Sequence, residues 1–186
     1  LSARLTVQLL VAQLRVLAGA IARYEARQAE LFAAHEDAPI FRSFSGAGPT
    51  FAPRLRVAFG SDRTRYPSAL AMQQYSGIVP VTERSGNRCW VHWRGGCPKF
   101  LRQSFHEYAN ESIRHSLWAR AFYDLQRQAG KAHAAAIRAL AYKWQRIMWR
   151  CWQQREPYSE LYYLTMLQKR GSKLLKLIAE PVEQVA

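Results

Sequence analysis

Apolar residues recur at alternating intervals of three and four near the start of the chain, at Val7, Leu10, Leu14, Leu17, Ile21, Tyr24 and Leu31, with Gln28 in the remaining place. An α-helix turns every 3.6 residues, so this spacing keeps the eight positions on one narrow stripe, a heptad seam. The stripe predicts one long helix over residues 1–34. Gly19 lies off the seam, on the outer face, where it weakens the helix by about 1 kcal/mol relative to Ala without spoiling the packing. Two arrangements satisfy such a stripe: a helix packed on its own domain, or a coiled coil with another helix or protomer. Seven apolar positions out of eight over about four heptads favour the coiled coil.

The rest of the chain is long enough for one domain. At 186 residues and 49% hydrophobic it can bury a real core. The formal net charge of +14 points to a polyanionic partner, nucleic acid first and an anionic membrane surface second. No stretch approaches the roughly 18 uncharged apolar residues of a spanning helix, so no membrane role is expected. The opening LSARLTVQLLVAQL lacks the n-region and cleavage site of a signal peptide, which leaves secretion unsupported and suggests a piece of something longer. Three cysteines, Cys89, Cys97 and Cys151, form no CxxC pair; an odd number fits a reducing cytoplasm without disulfides.

Past Pro39 the chain reads FRSFSGAGPTFAPRLRVAFG. Gly46 and Gly48 suit a helix-hairpin-helix turn, where glycine lets the backbone approach a phosphate and the next helix directs free N–H groups at it. A purely structural tight turn explains the same residues. With Thr50 as N-cap, Pro53 falls in the first turn of the following helix, which Gly60 closes. Ser68 caps a short helix ending at Gly77. Two β-like runs, IVPVTE and RCWVHW, flank Arg84, Ser85, Gly86 and Asn87, a hairpin with Ser85 near its tip. Pro98 opens a helical segment running to LQRQ, and a second helix covers about Lys131 to Gln154 with Ile137, Leu140, Trp144, Ile147, Met148 and Cys151 as core. After Pro157 a last aromatic and basic helix leads into a tail. The expected fold is mainly α: a helical domain over residues 35–175 with a helix-hairpin-helix-like turn and a small β-hairpin, a coiled-coil helix before it, and a tail over 176–186.

Chemistry concentrates around the hairpin. Ser85 lies between Arg84 and Gly86, with Arg88 three residues on. A hydroxyl there can attack a phosphodiester, guanidinium groups can stabilise the charge that grows on the non-bridging oxygens, and glycine gives DNA room to approach. A phosphoseryl ester conserves the bond energy for strand exchange. A Ser-Gly pair in a turn is more commonly structural, and no base is identifiable nearby. Lys99 and Arg102 begin the helix after Gly95 and Gly96, either positioning a phosphate at its N-terminus or forming a solvated basic face. Cys89, His92 and Cys97, with His106 as a fourth ligand, have soft-ligand character but match no common zinc-finger spacing, so no metal site is assigned. Asn110 stands where HExxH needs its second histidine, and Glu107 and Glu111 read as a salt-bridging helix pair.

The succession SGAGPTFAPRL, YSGIVPVTERSG, GCPKFLRQSFHEYA and AAAIRALAYKWQRIMWRCW resembles the C-terminal transposase domain of the bridge-RNA-guided insertion-sequence recombinases, to which the pilin-gene invertases are related. The likeness covers about residues 35 to 170, and the heptad helix resembles the linker between that family's two catalytic domains. It implies an upstream RuvC-like domain with four acidic ligands for a divalent metal, most simply Mg²⁺, forming a composite site with this domain's serine across a dimer or tetramer. It also implies a structured noncoding RNA that pairs with target and donor DNA. The family's catalytic serine falls on Ser85 and its glycine on Gly86, the glycine turn on Gly46 and Gly48, and the Leu-Arg pair on Leu101 and Arg102. Where the family often carries a basic residue and a glycine before that pair, this chain has Gly95, Gly96 and Cys97. The expectation is DNA strand transfer by serine attack. A noncatalytic nucleic-acid-binding or oligomerisation module is the alternative.

Overall fold

The computed structural model describes residues 2–179. Its architecture is mainly helical, with one two-stranded antiparallel sheet and a long N-terminal helix, as the sequence predicts. α1 (Ser2–Ala33) leads into α2 (Ala38–Arg42), α3 (Gly48–Phe59), a 3-10 turn (Arg63–Arg65) and α4 (Ala69–Tyr75). The hairpin β1 (Val81–Ser85) and β2 (Arg88–His92) follows, then α5 (Lys99–Ser112), α6 (Leu117–Gln128), α7 (His133–Gln154), α8 (Glu160–Lys169) and α9 (Leu174–Ala179). Of the expected tail, residues 176–179 fall in α9 and residues 180–186 lie outside the described residues.

α7 is the axis of the domain. Its Ala136, Ile137, Leu140, Ala141, Trp144, Met148 and Trp152 are buried, following the helical repeat along one face, while Ile147 and Cys151 pack partly buried at the edge. Trp144 sits among Phe44, Tyr108, Trp118 and Tyr158, with the Trp118 ring 4.6 Å away centroid to centroid. Two of the core's buried indoles are satisfied, Trp144 donating to Ser112 Oγ at 2.8 Å and Trp118 to Tyr158 OH at 2.8 Å, while the Trp152 indole finds no partner among the described residues. Burial of Cys151 against this edge pushes its thiol up to about 11.

Three boundaries differ from the sequence expectation. α3 begins at Gly48, so Pro49 takes the first turn and Pro53 lies within the helix, buried in the core; packing overrides the preference for a proline-free interior. The segment after Pro98 is two helices, because residues 113–116 turn and Ser116 caps α6 by accepting from Ala119 N. Glu160 reinforces that cap, accepting from Ser116 Oγ at 2.9 Å and Leu117 N at 3.0 Å. The C-terminal helix breaks at Gly171, whose φ is 60°, giving α8 and α9.

α1 touches the domain only near its end, where Phe32 is buried under the Arg42 guanidinium, 5.2 Å from the ring centroid. Val7, Leu10, Leu14, Leu17, Ile21, Tyr24 and Leu31 are all exposed, and so are Leu5, Leu9 and Val16 off the seam. This breadth corrects the expectation that no stretch nears the length and hydropathy of a membrane span. An 18-residue window of α1 has mean hydropathy 1.7, long and apolar enough to cross a membrane by length and composition. Counting uninterrupted apolar residues missed it, because Gln8, Gln13 and Arg15 interrupt the run without lowering its mean far. Arg15 works against spanning, since an arginine at the bilayer centre costs roughly 2.5–3.5 kcal/mol.

Candidate functional site

The hairpin pairs in the register Val81 with His92, Glu83 with Trp90 and Ser85 with Arg88. Gly86 and Asn87 form its two-residue loop. Gly86 has φ 57°, while the one non-glycine with positive φ among the described residues is Arg155, so the loop follows the pattern with glycine first that suits the strand twist. Pairing in this register places Ser85, Arg88, Glu83, Trp90 and His92 on one face and Arg84, Cys89, Thr82 and Val91 on the other. The two arginines expected to flank the serine thus separate: Arg88 shares the Ser85 face and Arg84 points to the opposite one. Ser85, Gly86 and Arg88 are exposed, and a Cβ built on Gly86 meets no atom within 4 Å, so the tip is open to a large substrate. Glu83 is the carboxylate on the Ser85 face, and it contacts His92 Nε2 at 3.3 Å. Among the described residues no side chain hydrogen-bonds the Ser85 hydroxyl.

The glycine turn between α2 and α3 splits into two different requirements. Gly46, at φ 78°, packs so closely under His115 that a Cβ would lie 2.6 Å from the imidazole Cδ2. Gly48, at φ 51°, has nothing within 4 Å and is exposed. Close packing accounts for Gly46, whereas Gly48 leaves open backbone at the start of a 12-residue helix. Ser45 anchors the turn by donating to Glu160 Oε2 at 2.6 Å, and its carbonyl accepts from Tyr108 OH at 3.1 Å.

Lys99 and Arg102 stand at the foot of the hairpin. The chain leaves β2 through Trp93 and passes Cys97, which packs on Gly77 where any side chain would collide with it. There Lys99, Arg102, Gln103, His106 and Trp93 line an open groove. Arg102 lies 5.4 Å and Arg138, from α7, 4.4 Å from the Trp93 ring centroid, with the His106 ring at 5.7 Å. Burial, and then the charges of Arg138 and Arg102, hold His106 below its ordinary value.

This combination of an exposed serine hairpin with a cationic groove at its base lies within, or close beside, the segment shared with known proteins. Residues 38–124 match the family described as Transposase IS116/IS110/IS902 family. Over these residues the chain is similar to the IS110-family transposase domain. It is 32% identical over 131 residues to the "Mini-circle putative transposase for IS117" of Streptomyces coelicolor, an alignment covering 70% of this chain and 32% of that protein. It is 34% identical over 121 residues to the Insertion element IS110 uncharacterized 43.6 kDa protein of the same organism, covering 63% of this chain and 29% of the relative. Identity to the Insertion element IS900 uncharacterized 42 kDa protein of Mycobacterium paratuberculosis is 30% over 121 residues, covering 64% and 30%. The chain therefore spans about a third of the length of these relatives.

Within the transposase segment the soft ligands do not converge. Cys89 and His92 fall on opposite faces of β2, Cys97 is held against Gly77, and among the described residues no three His, Cys, Asp or Glu side chains group to hold a metal ion. Glu107 pairs with Arg54, and Glu111 contacts His115 at 3.0 Å, the salt-bridging roles that their spacing suggested. Trp93 and Arg138 were not singled out in the sequence, and His106 was considered only as a metal ligand. Trp93 follows a β-like run and could be flagged by its place there, but Arg138 comes from a helix 45 residues later and only the packing of α5 on α7 brings it in.

Proposed function

We propose that this chain is the C-terminal, DNA-recombining part of an insertion-sequence transposase in which Ser85 is the nucleophile. The observation that carries the reading is the placement of Ser85 at an open hairpin tip with Arg88 directly across the strand pair. Ser85 Oγ forms a bond to the phosphorus of a DNA phosphodiester, the bond from phosphorus to one sugar oxygen breaks, and that oxygen leaves as a hydroxyl after taking up a proton. Arg88 stabilises the charge on the non-bridging oxygens, and Arg84 and Gly86 support the approach of the strand. The phosphoseryl ester keeps the bond energy, so a hydroxyl of another strand can displace Ser85 without an external energy source. Gly48, and with it the Gly46 turn, and the pair Lys99 and Arg102 bind the nucleic-acid backbone.

The rest of the enzyme lies upstream in this reading: a RuvC-like domain with its divalent metal, and a structured guide RNA that selects the DNA in the cytoplasm. The described residues offer no ligand set for that Mg²⁺, so no step in this chain runs through it. Residues 1–34 form the coiled coil through which protomers assemble as a dimer or tetramer, and the serine domain begins at residue 35. Glu83 is already engaged with His92, so the acceptor of the Ser85 proton comes from another domain or protomer, and this chain alone is inactive.

The test joins the chain to its N-terminal half and supplies RNA and element DNA. A denaturation-resistant protein–DNA adduct in the wild type, absent in Ser85→Ala with DNA affinity retained, is the expected result. An equal adduct in both moves the chemistry elsewhere and leaves this domain a noncatalytic nucleic-acid-binding and oligomerisation module.

A further inference from the structure

The groove at the foot of the hairpin has the composition of an anion site with its anion missing from the charge balance. Lys99 and Arg102 line it from α5 and Arg138 reaches its Trp93 wall from α7, and none of the three has a carboxylate within 4.0 Å among the described residues. Elsewhere the chain pairs such groups: Arg54 with Glu107, and Arg63 with Asp37 and Glu36. Crowding like charges without a counter-charge is unfavourable, and the face of Trp93 offsets only part of it, since a cation over an aromatic ring gains about 0.5–2 kcal/mol. Trp93 remains 46% exposed while touching both guanidinium groups, so it acts as a post that holds Arg102 and Arg138 in place and still presents apolar surface. The buried Nε2 of His106, which lines the groove, finds no partner among the described residues. Arg102 Nη1 is held within the chain by the Arg94 carbonyl at 3.5 Å, and its remaining donors, those of Lys99 and Arg138 and an aromatic wall describe a receptor for a phosphodiester flanked by sugar and base.

We infer that Arg102 and Arg138, braced on Trp93 and joined by Lys99, form a clamp for a backbone phosphate of the DNA. The inference rests on the reading of this domain as DNA-acting and adds Trp93 and Arg138 to it. Five residues of extended chain separate Trp93 from Arg88, about 17 Å at roughly 3.3 Å per residue, so the clamp grips the duplex away from the reacting phosphate and sets the position of the hairpin on it. Trp93 is a positioning residue; the phosphate contacts belong to Arg102, Arg138 and Lys99.

The experiment uses the full chain with Ser85→Ala, so that no covalent step contributes, titrated with a fluorescent 30-base-pair DNA duplex and with single-stranded RNA of the same sequence over a range of salt. Arg138→Ala is expected to weaken duplex binding several-fold and to lower the slope of log affinity against log salt by about one, the signature of a lost phosphate contact. Trp93→Ala weakens binding by a similar factor, and Trp93→Phe restores most of it, whereas a merely structural tryptophan would change the melting temperature instead. Unchanged affinity and slope in the Arg102→Ala, Arg138→Ala double variant overturns the clamp. So does a loss confined to RNA, or no DNA binding by the parent chain. Because adduct formation is not read, failure of Ser85 as nucleophile leaves these outcomes distinguishable.

Discussion

Ser85 and Arg88 close the hairpin as its last cross-strand pair, facing the same side across Gly86 and Asn87, while Arg84 faces the other. The geometry ranks the two arginines. If Ser85 attacks a phosphodiester as proposed, Arg88→Ala is expected to slow single-turnover adduct formation by the chain joined to its N-terminal half about 100-fold, the usual consequence of removing one donor to a developing oxyanion. Arg84→Ala should cost less than about 10-fold in the same assay, through weaker DNA binding. The reverse order would mean that the substrate approaches the Arg84 face, which Ser85 does not share.

Gly46 and Gly48 should respond differently to the same substitution. Gly46→Ala combines a left-handed backbone with a collision against His115, and a loss of about 2–3 kcal/mol is expected in urea unfolding. Gly48→Ala carries only the backbone cost, about 1 kcal/mol. If Gly48 gives a phosphate access to the helix start, its alanine variant also loses DNA affinity at a temperature about 20 °C below its melting point, which falls by only about 2–4 °C.

These contrasts mark how far the sequence could be read. The α1 stripe, the Ser68 cap, the hairpin around Ser85 and the α7 core all follow from local periodicity or turn chemistry, which depend on residues near one another in the chain. The break between α5 and α6 was not read, although Ser116 caps α6 locally; the Glu160 that holds this cap comes from 44 residues away and has no local signature. The start of α3 was misplaced for a related reason: Pro53 is tolerated inside the helix by burial that no local rule contains. At the site, the neighbourhood of Ser85 was visible but the side of the sheet on which each arginine falls was not, since that depends on the pairing register. The Trp93 groove needs α7 to pack on α5 and has no local signature.

Glu160 joins three segments by accepting from Ser45 Oγ, Ser116 Oγ and Leu117 N. Hydrogen bonds to a charged acceptor contribute about 1.5–3 kcal/mol each, and they are not additive within one network. Glu160→Ala is therefore expected to destabilise the domain by about 2–4 kcal/mol, with Glu160→Gln closer to wild type. Chemical unfolding measures both. Equal stability in all three proteins would show that the Gly46 turn is held by its packing alone.

His106 reports on the two arginines. Burial is the main reason its imidazole is held below the ordinary value, and the charges of Arg138 and Arg102 add to it. Taking away one positive neighbour favours the imidazolium, so Arg138→Ala should raise the His106 pKa while burial keeps it below the free value. NMR titration of the ring resonances reads this directly. A fall, or no change, would mean that Arg138 does not stand over the Trp93 ring beside His106 in solution.

The exposed apolar surface of α1 decides between a protein partner and a lipid one. Leu14 lies on the heptad seam and Val16 off it, yet both are exposed, at 64% and 73%, so burial within one chain does not distinguish them. A coiled coil does, because only seam residues insert between neighbouring helices. If α1 assembles protomers as proposed, sedimentation should show an oligomer that Leu14→Glu together with Leu17→Glu reduces to monomer and Val16→Glu leaves intact. Lipid contact has no such phase: a helix crossing or lying in a bilayer would lose vesicle binding with either change, and the charge at position 16 would matter as much as the charge at 14. Oligomer loss confined to the seam, with no vesicle binding by the parent chain, would assign α1 to protomer assembly; equal sensitivity on and off the seam would assign it to lipid.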